Sequence, residues 1–86
     1  MRLMLLSRAY CHLCDEMEKA LRPIIGSVPL DVIDVDAPEH AALEARYGDA
    51  VPVLLATGAG EARELCRYRL DFDAVLSVIA ADAKIR

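Results

Sequence analysis

Tryptophan is absent, phenylalanine occurs once, and glycine and proline occur four times each in 86 residues. So little glycine and proline excludes collagen-like and low-complexity chains, and an apolar share of 56% excludes a chain too polar to fold. Cations are scarce as well. Ten Lys and Arg against fourteen Asp and Glu leave a net charge of -4, which excludes nucleic acid as a partner, because such binding needs clustered cations that release phosphate counterions. Long apolar runs are missing: Val51 to Ala56 is typical, far below the ~20 residues that cross a bilayer, so no membrane association is expected. Arg2 followed by Leu3, Met4, Leu5 and Leu6 imitates a secretion signal, but the run is short and lacks a small-residue cleavage site, so a first strand is the better reading. Three cysteines are too few, and odd in number, for a disulfide-stapled secreted scaffold. A reducing, cytoplasmic setting is inferred.

What remains is one compact α/β domain over residues 1–86, since a chain of this size has room for a single core. Leu3 to Ser7 suits a buried strand that feeds a loop. A helix then opens at Cys11. Leu13, Met17, Ala20, Leu21 and Ile24 recur at helical spacing, and Pro23, which lacks a donor for the carbonyl of Lys19, should end or kink the helix near Arg22 before Gly26 closes it. Leu30 to Val35 is rich in β-branched residues and reads as a second strand. Asp36, Ala37, Pro38 and Glu39 form a capping box for a short helix over Ala41 to Tyr47, which Gly48 should stop. Val51 to Ala56 and Glu61 to Tyr68 make a hairpin of two further strands, although the second alternates poorly, and Asp71 caps a last helix with apolar positions Phe72, Val75, Leu76 and Ile79. The order is βαβαββα. Its first two strands should be parallel and its hairpin antiparallel, giving a four-stranded mixed sheet flanked by helices.

Cys11-His12-Leu13-Cys14 stands where the first strand gives way to the first helix. Unpaired backbone N–H groups and the macrodipole at a helix N-terminus favour an anion, and so a thiolate. A thiol of pKa ~8.5 is only about 3% ionised at pH 7, whereas one lowered to ~7 is about half ionised. Cys11 is therefore read as the nucleophile, and Cys14, one turn on, as the thiol that resolves the mixed disulfide. His12, when protonated, stabilises the neighbouring thiolate and Asp15 opposes it; a solvated loop residue is the plainer reading of His12. Val51-Pro52 at the start of the third strand is a second feature, because proline cannot donate to a central ladder.

A strand, a CxxC on the following helix and a Val-Pro about forty residues later resemble the thioredoxin superfamily, and the brevity and element order resemble the glutaredoxins. Cys11 to Asp15, Leu43 with Arg46-Tyr47-Gly48, and Val51-Pro52-Val53-Leu54 are similar to the small bacterial glutaredoxin-like proteins, across essentially the whole chain. The resemblance implies a thioredoxin-like, glutaredoxin-type fold and a CxxC dithiol-disulfide oxidoreductase. It also implies a cis Pro52 packed against the motif, with the backbone of Val51 taking an extended substrate as an added strand. His12 and Leu13 stand where glutaredoxins usually carry Pro-Tyr, and the glycine pair that helps bind glutathione is replaced by Arg69, Leu70, Asp71, Phe72 and Asp73. Asp71 or Asp73 could still meet the amino group of glutathione and Arg8 a carboxylate, though capping and solvation account for them equally. The expected partners are a disulfide-bearing protein or a low-molecular-weight thiol, with glutathione or a reductase as reductant. No bound cofactor or metal is expected, and the chain should act as a monomer.

Two other classes compete. Soft thiolates select Cu(I), and small copper carriers also place CxxC between a first strand and helix, but they run βαββαβ. A zinc site would have to draw on Cys11, Cys14, Cys66 and His40, with no second clustered pair. The third class is a thioredoxin-fold binding domain with idle thiols. Cys66 on the fourth strand reads as a packing residue, with a regulatory thiol as the alternative, and Arg63, Arg67 and Arg69 as a solvated basic stripe.

Overall fold

The computed structural model of the chain describes residues 1–58 and 60–85. In chain order the elements are β1 (Arg2–Ser7), α1 (His12–Ile25), β2 (Leu30–Asp34), α2 (Ala41–Tyr47), β3 (Val53–Thr57), β4 (Arg63–Arg67) and α3 (Phe72–Ile85), with single 3-10 turns at Pro38–His40 and Gly48–Ala50 on either side of α2. The order is the βαβαββα expected from the sequence. The sheet runs β2-β1-β3-β4, with β1 parallel to β2 and antiparallel to β3, and β3 antiparallel to β4.

The continuous apolar run of β1 follows from its central place in a sheet covered on both faces. Leu3 and Leu5 point to one side, where they join Leu54, Ala56, Met17, Leu21, Ile25 and Val75 beneath α1 and α3. Leu6 points to the other, with Val53, Leu55, Val35 and Ala50, against which Leu43 and Tyr47 of α2 pack. Two half-cores thus share one sheet, and the alternation of side chains along β1 and β3 divides them.

The structure departs from the sequence expectations at several positions. The helix α1 passes through Pro23 to Ile25 and ends on Gly26, whose φ of 58° is in the left-handed region that favours glycine. Pro23 is exposed and lies in the last turn. The capping box at Asp36 does not form: Ala37 is the capping position, without a side-chain bond, and the Asp36 N–H instead donates to Asp34 Oδ1 at 2.9 Å. Gly48 closes α2 after Tyr47, as the sequence suggested. It has a φ of -53° and opens the second 3-10 turn, and a Cβ there would lie 2.6 Å from Glu44 Oε1 and 3.2 Å from Arg8 Nη2, the ends of two long side chains that can shift to make room. Finally, Phe72 and Leu76 of α3 are exposed, and among the described side chains of the helix Val75 is the buried one.

The poor alternation of the fourth strand has a structural cause. Leu54 pairs with Cys66 but Leu55 pairs with Glu64, so Leu65 is an extra residue in β4. Such a bulge lets two successive residues serve the same face, and both Leu65 and Cys66 pack on the core beneath α1 and α3. At the other end of the connection, Asp71 Oδ1 accepts the N–H of Ala74 at 3.0 Å, which caps α3. Asp71→Ala is expected to lower stability by about 1 kcal/mol and Tm by several degrees, with Asp71→Asn recovering most of the loss in a thermal melt.

Candidate active site

Four chain segments meet at one end of the sheet. β1 leaves it through Arg8 and Tyr10 to reach Cys11. Beside it the Val35 N–H donates to Ser7 O at 3.0 Å, so β2 leaves at the same end. Leu6 pairs with Val53, which places Pro52 and Val51 next to the exit of β1. Val53 also pairs with Arg67, and the Tyr68 N–H donates to Pro52 O at 2.9 Å, so the exit of β4 completes the set. The strand itself begins at Val53, leaving the proline just outside the ladder, where a missing N–H costs nothing. The Val51-Pro52 peptide bond is cis, and Pro52 is buried.

Cys11 is the N-cap of α1, with extended backbone angles of -106° and 103°. Its Sγ accepts the backbone N–H of Cys14 at 3.2 Å, and its carbonyl accepts that of Asp15 at 3.2 Å. The sulfur therefore occupies the position where an oxygen ordinarily caps a helix, facing donors that have no intrahelical partner. Cys11 and Cys14 are joined as a disulfide with their Cα atoms 5.2 Å apart. Exposure separates the two sulfurs: Cys11 is half-buried, whereas Cys14 is 1% exposed, facing the interior with Met17 and Leu21. An incoming reagent meets Cys11.

The chain enters this site through a residue in an unusual conformation. Tyr10 has a φ of 59° and is fully exposed, and Tyr68, across the site on the β4 exit, has a φ of 67°. A left-handed tyrosine costs on the order of 1–3 kcal/mol and persists only where its surroundings enforce it, and such residues cluster at functional sites. Neither tyrosine was singled out by sequence pattern, since nothing in a tyrosine announces a positive φ.

The remaining residues divide by position. His12 Nε2 lies 2.8 Å from Glu16 Oε1, one turn on, and both are exposed. Leu13 is also exposed, at 43%, although its helical spacing suggested a core position. Arg8 Nη2 lies 3.4 Å from Asp36 Oδ1 and 3.8 Å from Glu44 Oε1, while its Nε is buried without a hydrogen-bond partner. Asp71 is committed to the helix cap, and Asp73 is exposed. Cys66 is a free thiol, half-buried; burial pushes it above its ordinary value, with the Asp71 backbone N–H opposing. Among the described residues no three His, Cys, Asp or Glu side chains gather as metal ligands, so Cys11, Cys14, Cys66 and His40 do not form one set. Arg67 pairs with Glu64 at 2.7 Å, so among the described residues only Arg63 and Arg69 of the basic stripe make no ion pair with a carboxylate. No described helix is long and apolar enough to cross a membrane.

Comparison with solved structures gives the same architecture. A solution structure of protein Ne2328 from Nitrosomonas europaea is 40% identical over 90% of this chain and 88% of its own, with a TM-score of 0.72. The crystal structure of target protein XcR50 from X. campestris is 32% identical over 92% of this chain and 96% of its own, with a TM-score of 0.66. Thioredoxin 1 from Thermosipho africanus, at 20% identity and a TM-score of 0.66 over 99% of this chain and 97% of its own, shares the fold, which is thioredoxin-like. No curated protein matches the chain. The family profile described as a glutaredoxin-like domain (Glrx-like, DUF836) covers residues 2–80, and with a redox-type cysteine pair on a thioredoxin-like fold the chain belongs to that glutaredoxin-like family.

Proposed function

We propose that the protein is a dithiol-disulfide oxidoreductase that works from the reduced form of the Cys11–Cys14 pair. The observation that carries this reading is the Cys11 sulfur at the head of α1, accepting the Cys14 N–H. A negative sulfur is favoured there by the donors and by the helix dipole. In the reaction the Cys11 thiolate attacks one sulfur of the substrate disulfide, forming a mixed disulfide and releasing the first substrate thiolate, which takes up a proton. The Cys14 thiol then loses its proton and attacks Cys11 Sγ, releasing the second substrate thiol and closing the Cys11–Cys14 disulfide. Two electrons pass from the dithiol to the substrate. An external thiol, glutathione or a reductase, returns them, and a reducing cytoplasm would keep the dithiol form in excess.

The backbone at Val51 and the cis Pro52 offer an extended substrate a strand-like partner beside the cysteines. His12 and Leu13 form the exposed rim of the motif, and Arg8 and Asp71 are the charged groups proposed to meet a glutathione-like substrate, each of which would have to give up its present partners to do so. The experiment is a trap. In Cys14→Ser, incubation with a disulfide substrate should leave a stable mixed disulfide on Cys11, visible as an added mass that dithiothreitol removes. No adduct on Cys11 would overturn the mechanism. Copper or zinc retained in stoichiometric amount through dialysis would favour a metal carrier instead.

A further inference from the structure

One flank of the motif opens into a groove of about 350 Å3 between α1 and the segment that joins β4 to α3. Leu13 and Glu16 form one wall, and Tyr68, Arg69, Leu70 and Phe72 the other. Large apolar side chains are ordinarily buried, yet Leu13, Tyr68 and Phe72 are 43%, 48% and 49% exposed around this one depression. Both walls of the groove adjoin the segments that carry the cysteine site. Leu13 stands between the two cysteines, and the Tyr68 N–H is bonded to the carbonyl of Pro52. Exposed apolar surface gathered at one place marks an interaction site.

The charges at the rim say what kind. Glu16, on the α1 wall, lies 2.8 Å from His12 Nε2, whereas Arg69, on the opposite wall, makes no ion pair among the described residues. The opening is thus apolar at its centre with one uncommitted cation at its edge. Resting on the oxidoreductase reading, we infer that the groove receives a large apolar side chain of a polypeptide substrate, beside its disulfide, with an acidic group of the same segment at Arg69. Glutathione has no apolar side chain to place there. The substrate class is therefore an extended polypeptide whose cysteine is flanked by an apolar and an acidic residue.

The test compares peptide disulfides on the intact protein. One peptide carries Phe beside its cysteine and Glu beyond it; in a second Phe is replaced by Ser, and in a third Glu is replaced by Gln. Hydroxyethyl disulfide serves as the featureless substrate. The expected kcat/KM ratio of the Phe peptide to the Ser peptide is about tenfold or more, the scale on which apolar pockets discriminate. This ratio should fall towards one in Phe72→Ser, and the preference for Glu over Gln should vanish in Arg69→Gln. Both side chains are exposed, so folding should survive, and the wild-type ratios need no variant. Turnover of hydroxyethyl disulfide with equal kcat/KM for the Phe and Ser peptides would overturn the groove and leave the oxidoreductase reading standing. Turnover of none of the four would overturn both.

Discussion

Cys11→Ser is expected to reduce disulfide turnover to background, a loss of at least about 10^3-fold, because no other group replaces the attacking sulfur. A serine hydroxyl at the head of α1 would still cap the helix, and serine is a preferred residue there, so the loss should come without unfolding. The contrast with Cys14→Ser is the informative one. That variant keeps the nucleophile and loses the thiol that clears it, so it should accumulate adduct in the first turnover. Cys66→Ser should leave turnover close to wild type, since Cys66 lies in β4 with its side chain against the core beneath α1 and α3. A Cys11→Ser protein that is as active as wild type, measured against hydroxyethyl disulfide, would remove the proposed function.

Leu5→Ala should cost about 2–5 kcal/mol, enough to consume much of the stability of a domain this small. Leu5 is fully buried in the central strand, pairs with Val32 on one side and Leu54 on the other, and packs beneath α1 and α3. The sheet around it is close to rigid in register, so a cavity left there has little means of collapse. In urea the midpoint should drop strongly with the slope nearly unchanged. Val32→Ala, on the neighbouring edge strand and 42% exposed, should cost much less. Equal losses at the two positions would mean that β1 is not the centre of the core.

Much of this arrangement is legible in the sequence because periodicity and packing agree. The double-sided burial of β1 shows as an unbroken apolar run, and helical spacing marks Met17 and Leu21 of the buried face of α1, although the structure buries Cys14 and Ile25 more fully than Leu13 and Ile24. The cysteine pair at a strand-to-helix junction is equally plain, and so is the capping of α3 by Asp71. Other features depend on neighbours distant in sequence. Pro23 fails to end α1 because Ile24 and Ile25 still gain by packing on the core, a tertiary effect that outweighs local propensity. The β4 bulge at Leu65 looks from sequence like weak alternation. The exposure of Leu13 and Phe72 is hidden for the same reason: an apolar residue at helical spacing reads as core until the facing segment proves to be set back from it.

The electrostatic state of the Cys11 sulfur is the central claim, and its ionisation can be measured directly. The fully reduced protein is alkylated with iodoacetamide over a range of pH, and the modified cysteines are separated by peptide mass spectrometry. Cys66 supplies the internal reference, since burial pushes its thiol up. The helix-head arrangement predicts that the Cys11 rate rises with a midpoint near pH 7 or below, well ahead of Cys66. A Cys11 midpoint at or above the ~8.5 of an ordinary thiol would contradict it.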